Sequence, residues 1–118
     1  MAVTGIGGVF FRAGDPDALR QWYRTHLGIV GEGYDMWAQA AGPTLIMPFK
    51  RDTGKWPADK QWMLNYRVDD LDAVVARLRD AGIEVTTDPA WDSPEVGRFA
   101  MLRDPEGNPI ELWQVPAE

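Results

Sequence analysis

The chain has 118 residues, 45% of them hydrophobic and 25% charged, with no cysteine and a formal net charge of −6. That length fits one domain with an ordinary apolar core, and the lack of cysteine removes disulfides, thiolate nucleophiles and Cys-based zinc sites. The acidic balance argues against nucleic acid, which needs a basic surface to release counterions, and weakly favours a cationic small molecule over an anionic one.

In chain order, Gly5-Ile6-Gly7-Gly8 precedes a strand-like run instead of opening a helix, so it does not read as a phosphate loop. Val9-Phe10-Phe11-Arg12 is rich in aromatic and branched residues and predicts a strand. Asp15-Pro16-Asp17 then offers a capping carboxylate and a proline at the first helical position. Leu19, Trp22, Tyr23 and Leu27 follow at helical spacing, up to Gly28 as a left-handed cap. Residues 29–31, 35–40 and 44–49 predict three more strands, and 51–60, with Gly54 and Pro57, predicts a linker.

The same order then returns. Leu64-Asn65-Tyr66-Arg67-Val68 predicts a strand, Asp69-Asp70-Leu71-Asp72 a cap, and Leu71, Val74, Val75 and Leu78 a helix ending at Gly82. Strands are predicted over 83–85, 97–102 and 109–115, with Asp104-Pro105-Glu106-Gly107-Asn108 as the turn between the last two. Set against each other, 9–24 and 64–79 place Arg12 on Arg67, Asp15 on Asp70, Asp17 on Asp72, Ala18 on Ala73 and Arg24 on Arg79. After a slip of one residue, Gly28-Ile29 matches Gly82-Ile83. The expected fold is therefore α+β in a single domain over 1–118. Two βαβββ modules, about 5–50 and about 61–116 with the linker between them, would form an eight-stranded curled sheet around a cleft, helices outside.

These segments resemble the glyoxalase/bleomycin-resistance/dioxygenase (vicinal oxygen chelate) superfamily. The resemblance rests on Gly8 to Pro16 with Trp22-Tyr23-Arg24 and Leu27-Gly28-Ile29, on Val68 to Asp72 with Ala81-Gly82-Ile83, and on Phe99 to Trp113 with its Asp-Pro-Glu-Gly-Asn turn. It implies a divalent metal, such as zinc, nickel, cobalt or manganese, held at symmetric strand positions in the superfamily's enzymes. Carried over here, those positions fall on Gly8, Met63, a residue near Leu45, and Glu111, and only Glu111 keeps an acidic ligand. One histidine, His26, excludes the two-His-one-carboxylate triad of an extradiol dioxygenase and reads as a helix-capping cation. The expectation is a site without metal; a non-standard set of Glu111 with Asn65 and water is the alternative.

The implied geometry, with strand alternation, puts Phe10, Arg12, Met63, Asn65, Arg67, Glu111 and Trp113 toward the cleft. Val9, Phe11, Leu64, Tyr66, Ile110 and Leu112 would pack beneath the helices. Trp37, Met47 and Met101 complete the expected lining, since aromatic and thioether side chains suit flat apolar or cationic ligands. Trp62 also falls on a predicted strand, Trp56 and Trp91 fall in connections, and Trp22 reads as core. Glu111 could bind a ligand cation, act as a base, or form a partly buried ion pair with Arg12 or Arg67.

Three functions follow. The first is a metal-free homodimer resembling the drug-sequestering branch of the superfamily, active in antibiotic resistance. The second is a glyoxalase-like lyase or isomerase with substituted ligands, in which Arg12 and Arg67 anchor a substrate carboxylate. The third is a dimerisation module whose cleft is plugged by Phe10, Met63 and Trp113. The opening Met1 to Gly5 lacks a basic-then-apolar signal, and no apolar run reaches about 18 residues, so a cytoplasmic location with neither membrane nor nucleic-acid partner is expected.

Overall fold

A computed structural model of the chain describes residues 2–29 and 36–117. Helix α1 (Pro16–Leu27) begins where the Asp15 carboxylate accepts the Ala18 N–H at 3.1 Å, and it ends at Gly28, whose φ of 68° lets the chain leave in the left-handed region. Helix α2 (Leu71–Asp80) repeats the device: Asp70 accepts the Ala73 N–H at 3.1 Å, and Gly82 follows the last turn at φ 81°. Arg24 in α1, and Arg77 and Arg79 in α2, place positive charge at the negative helix ends. The two caps that the internal alignment pairs thus share one geometry.

Three strands, β1 (Leu64–Arg67), β2 (Arg98–Arg103) and β3 (Pro109–Gln114), form one open sheet in the order β1-β3-β2. β3 runs parallel to β1 and antiparallel to β2, with Ile110 and Leu112 opposite Leu64 and Tyr66 on one side and Leu102 and Ala100 on the other. Ala100, Leu102, Ile110 and Leu112 meet Leu19 and Tyr23 of α1 and Leu71, Val75 and Leu78 of α2 in one buried core. Both helices therefore cover the same face of the sheet. Residues at alternate strand positions point to the other face, as period-2 geometry requires.

The turn before β3 ties the first helix to the sheet. Asp104, 4% exposed, accepts the Tyr23 hydroxyl at 2.7 Å, the N–H groups of Glu106 and Asn108 at 2.9 and 3.0 Å, and the Asn108 side-chain amide at 2.7 Å. Four donors meet the demand of a buried carboxylate. The neighbouring Glu106 carboxylate accepts the N–H groups of Gly14 and Asp15 at the entry of α1, at 2.6 and 3.0 Å. At the far end of β3, the Gln114 side-chain oxygen accepts the Leu71 N–H at the start of α2 at 2.8 Å. Burial, then the hydrogen bond to Asp104, pushes the Tyr23 phenol far above its ordinary value; burial and the Asp104 charge push Tyr66 up to about 12.

The described residues hold three strands where eight were expected. Segments 9–12, 36–40 and 44–49 form no ladder, and Phe10, Met36, Leu45 and Ile46 within them are exposed. Residues 30, 31 and 35 of the expected strands lie outside the described residues. Residues 83–85 also form no strand; pairing on that side of β2 is reduced to one bridge between Thr86 and Met101, with N–H···O distances of 2.8 and 2.9 Å. The reason is physical: strand propensity reports a side chain's fit to a pleated, half-buried surface, and it supplies no neighbouring edge. The second-half strands find their neighbours under α2, and the first-half segments have no ladder partner among the described residues. Residues 51–60 form no helix or strand and fold back through a Trp56 indole N–H bond to the Lys60 carbonyl at 2.9 Å.

Two outcomes follow from this packing. Leu112→Ala, at a fully buried position, lowers unfolding free energy in urea by about 2–5 kcal/mol, whereas Leu45→Ala, at an exposed one, changes it by less than about 0.5 kcal/mol. Tyr66 has a raised folded-state pKa, so its contribution to stability is complete below its unfolded value near 10 and is lost as pH rises through about 12. The phenolate absorbance difference between the wild type and Tyr66→Phe has its midpoint near the upper of these values.

Candidate functional site

The sheet face that carries no helix has two cross-strand rows. Asn65, Glu111 and Met101 stand side by side, and Arg67, Trp113 and Phe99 stand in the next layer. The Phe99 and Trp113 rings lie parallel, 2° apart in plane with centroids at 6.2 Å, and the Trp113 indole N–H is held by the Val96 carbonyl at 2.8 Å. Gly97, at φ 100°, permits this arrangement, since a Cβ there would strike the Gln114 carbonyl and crowd the Trp113 ring.

Glu111 is 7% exposed, and each of its oxygens has a partner. Asn65 donates to one at 2.8 Å, and the Lys55 ammonium sits 3.1 Å from the other. Lys55 also lies 5.4 Å from the centre of the Phe49 ring, a cation–π distance, and Phe49 meets Trp56 edge-on at 5.1 Å. Glu111 is paired with Lys55, where Arg12 or Arg67 was expected as the partner. Arg67 turns away to donate to the Ala40 carbonyl at 3.1 Å, and its guanidinium occupies the space that a Cβ at Gly42 would need. Arg12 is exposed.

Of the other expected lining residues, Met101 stands directly opposite Glu111 and Met63 is half-buried just before β1. Phe10 and Met47, 96% and 59% exposed, are not packed into the site. Trp37 packs against Tyr66 at 6.4 Å, and with Leu27, Val74 and Leu112 it lines a cavity of about 220 Å³ on the helix-covered side. A second cavity, of about 260 Å³, lies between α2 and β2, where Arg98 pairs with Asp72 at 2.7 Å. Neither of these two cavities is lined by Glu111 or Asn65.

Two residues of this face were missed in the sequence. Phe99 could have been found by alternation, two positions before Met101 on the same strand. Lys55 carried no such signal, because it belongs to an irregular segment whose path across the sheet depends on tertiary contacts. The donors present do not fit a divalent metal. Beside the Glu111 carboxylate stand an amide, a thioether and an ammonium, and no group of three or more His, Cys, Asp or Glu side chains stands together among the described residues.

Helices on one face of a mixed sheet, with a carboxylate and an aromatic pair on the other, define a glyoxalase-type α+β fold. The crystal structure of TnmS3, an antibiotic binding protein from Streptomyces sp. CB03234, is similar to this chain with a TM-score of 0.58 and 26% identity over 98% of both chains. The chain belongs to the glyoxalase-like domain family, whose pattern matches residues 8–113. It is also 50% identical over 46 residues to the putative glyoxylase CFP32 of Mycobacterium bovis and of Mycobacterium tuberculosis. That stretch covers 39% of this chain and 17% of those proteins.

Removing the amide that satisfies Glu111 tests how far the buried carboxylate depends on it. Asn65→Ala lowers stability in urea by about 1–3 kcal/mol, the range for a buried polar group left unsatisfied, and Asn65→Asp lowers it further by setting two carboxylates side by side.

Proposed function

We propose that the chain binds a flat aromatic or cationic small molecule on the Glu111 face of its sheet, without a metal, and so sequesters a toxic compound of the antibiotic kind in the cytoplasm. The observation that carries this reading is the parallel Phe99–Trp113 pair beside Glu111, on the face that the helices leave uncovered. A parallel aromatic pair next to a half-buried methionine offers an extended apolar surface on which a planar ligand can stack. The likeness over nearly the whole chain to a protein described as antibiotic binding supports the same reading.

A homodimer belongs to this proposal. β1 and β2 are the outer strands of the sheet, β2 carrying one bridge to Thr86 on its outer side, and the segment 36–49 has strand composition but forms no ladder among the described residues. A second copy would offer those segments a partner, complete two βαβββ modules as an eight-stranded arrangement, and close the open face into a cleft. Among the described residues no helix is long and apolar enough to cross a membrane.

Calorimetric titration with polycyclic aromatic antibiotics tests the binding. The expected result is saturable binding that Trp113→Ala weakens by about tenfold or more, in keeping with the loss of an aromatic stacking partner. Sedimentation should return twice the 13.2 kDa chain mass, and elemental analysis should find metal far below one atom per chain. Stoichiometric metal or a persistent monomer would overturn those parts of the proposal, and the absence of binding to any such compound would overturn its core.

A further inference from the structure

We propose that Lys55 is the resident cation of the Glu111 site and that it sets the charge of the ligand: the site takes an uncharged aromatic molecule bearing an acceptor oxygen, and rejects metal ions and organic cations. This rests on the binding reading above and narrows it to a ligand class. The Lys55 ammonium already occupies the place beside the buried carboxylate that a cationic ligand would need, 3.1 Å from one Glu111 oxygen, while Asn65 holds the other at 2.8 Å. An incoming cation must either displace the ammonium or lie within a few ångströms of it. The first route competes with a group tethered to the same chain and so present at high effective concentration. The second sets like charges together in a partly dry site, where their repulsion is weakly screened.

The same pair also disfavours an anion, because ammonium and carboxylate together are neutral and the carboxylate is fixed in the sheet. What remains is a neutral partner. An ammonium has three donors, and Glu111 is the one polar partner that Lys55 Nζ has among the described contacts. The Lys55 side chain is 37% exposed, so its ammonium can be reached by a carbonyl, ether or hydroxyl oxygen from outside. The Phe49 ring at 5.4 Å and the Phe99–Trp113 pair on the sheet supply apolar surface around that point. The net charge of −6 predicts attraction for cations at long range, and Lys55 reverses that preference at the site itself.

The test uses three probes that share one ring system: 2-naphthalenemethanol (neutral), 2-naphthoate (anionic) and 2-naphthylmethylammonium (cationic), with affinities from equilibrium dialysis. The wild type is expected to hold the alcohol at least roughly tenfold more tightly than the ammonium probe. Lys55→Met, which bares the Glu111 carboxylate, is expected to gain at least roughly tenfold for the ammonium probe. Lys55→Met/Glu111→Gln should lose that gain, and Lys55→Arg should keep the wild-type order. Circular dichroism melting shows whether each variant is folded; should Lys55→Met unfold, the order of the probes on the wild type decides. A wild type that prefers the ammonium probe, or a folded Lys55→Met with no gain for it, overturns the assignment of Lys55 while leaving the binding reading intact. Failure of every probe on all four proteins overturns the ligand class assigned here, and the binding reading falls with it when the polycyclic antibiotics also fail to bind.

Discussion

A buried carboxylate must be surrounded by donors, and Asp104 meets that demand by gathering groups that are distant in sequence. The Tyr23 hydroxyl comes from α1, and the Glu106 and Asn108 amides come from the turn that leads into β3. The same turn presents Glu106 to the free N–H groups at the entry of α1. With these bonds in place, α1 has a fixed position over the sheet, Leu19 and Tyr23 reach the core, and the helix-covered face is closed. The opposite face, with Glu111 at its centre, then keeps its outward aim. The Glu111 face thus depends on hydrogen bonds that fix α1 on the helix-covered side of the sheet.

The site itself illustrates how a retained residue can change meaning when its surroundings change. A carboxylate at the position of Glu111 would suit a metal if imidazoles or further carboxylates stood nearby. Here the neighbours are an amide, a thioether and an ammonium, and the carboxylate is held as part of an internal ion pair. Removing one member of such a pair leaves the other buried and uncompensated, which gives Lys55 and Glu111 a joint role that neither has alone.

Much of this was legible in the chain. The caps of both helices follow from Asp15 and Asp70 at fixed distance from an apolar helical stripe, and the left-handed exits follow from Gly28 and Gly82. Alternation along the strands separated Leu64, Tyr66, Ile110 and Leu112 from Asn65, Arg67, Glu111 and Trp113, and the sheet has this division. The first-half strands were not legible in the same way. Val9 to Arg12 reads as well as Leu64 to Arg67, but pairing depends on an available edge, which local composition does not encode. Lys55 was hidden for a related reason: its importance comes from where an irregular segment crosses the sheet, and no periodicity governs that path.

β3 has a consequence for how the protein comes apart. Its leading turn holds the N-terminus of α1 through Glu106, and its last residue, Gln114, holds the N-terminus of α2. It also lies between the two other strands. A partial opening that frees β3 releases both helices and both neighbours at once, so little of the structure can open ahead of the rest. Amide exchange in the two helices, though they lie in different halves of the chain, would then be governed by a single event, and the halves that repeat in sequence would act as one cooperative unit.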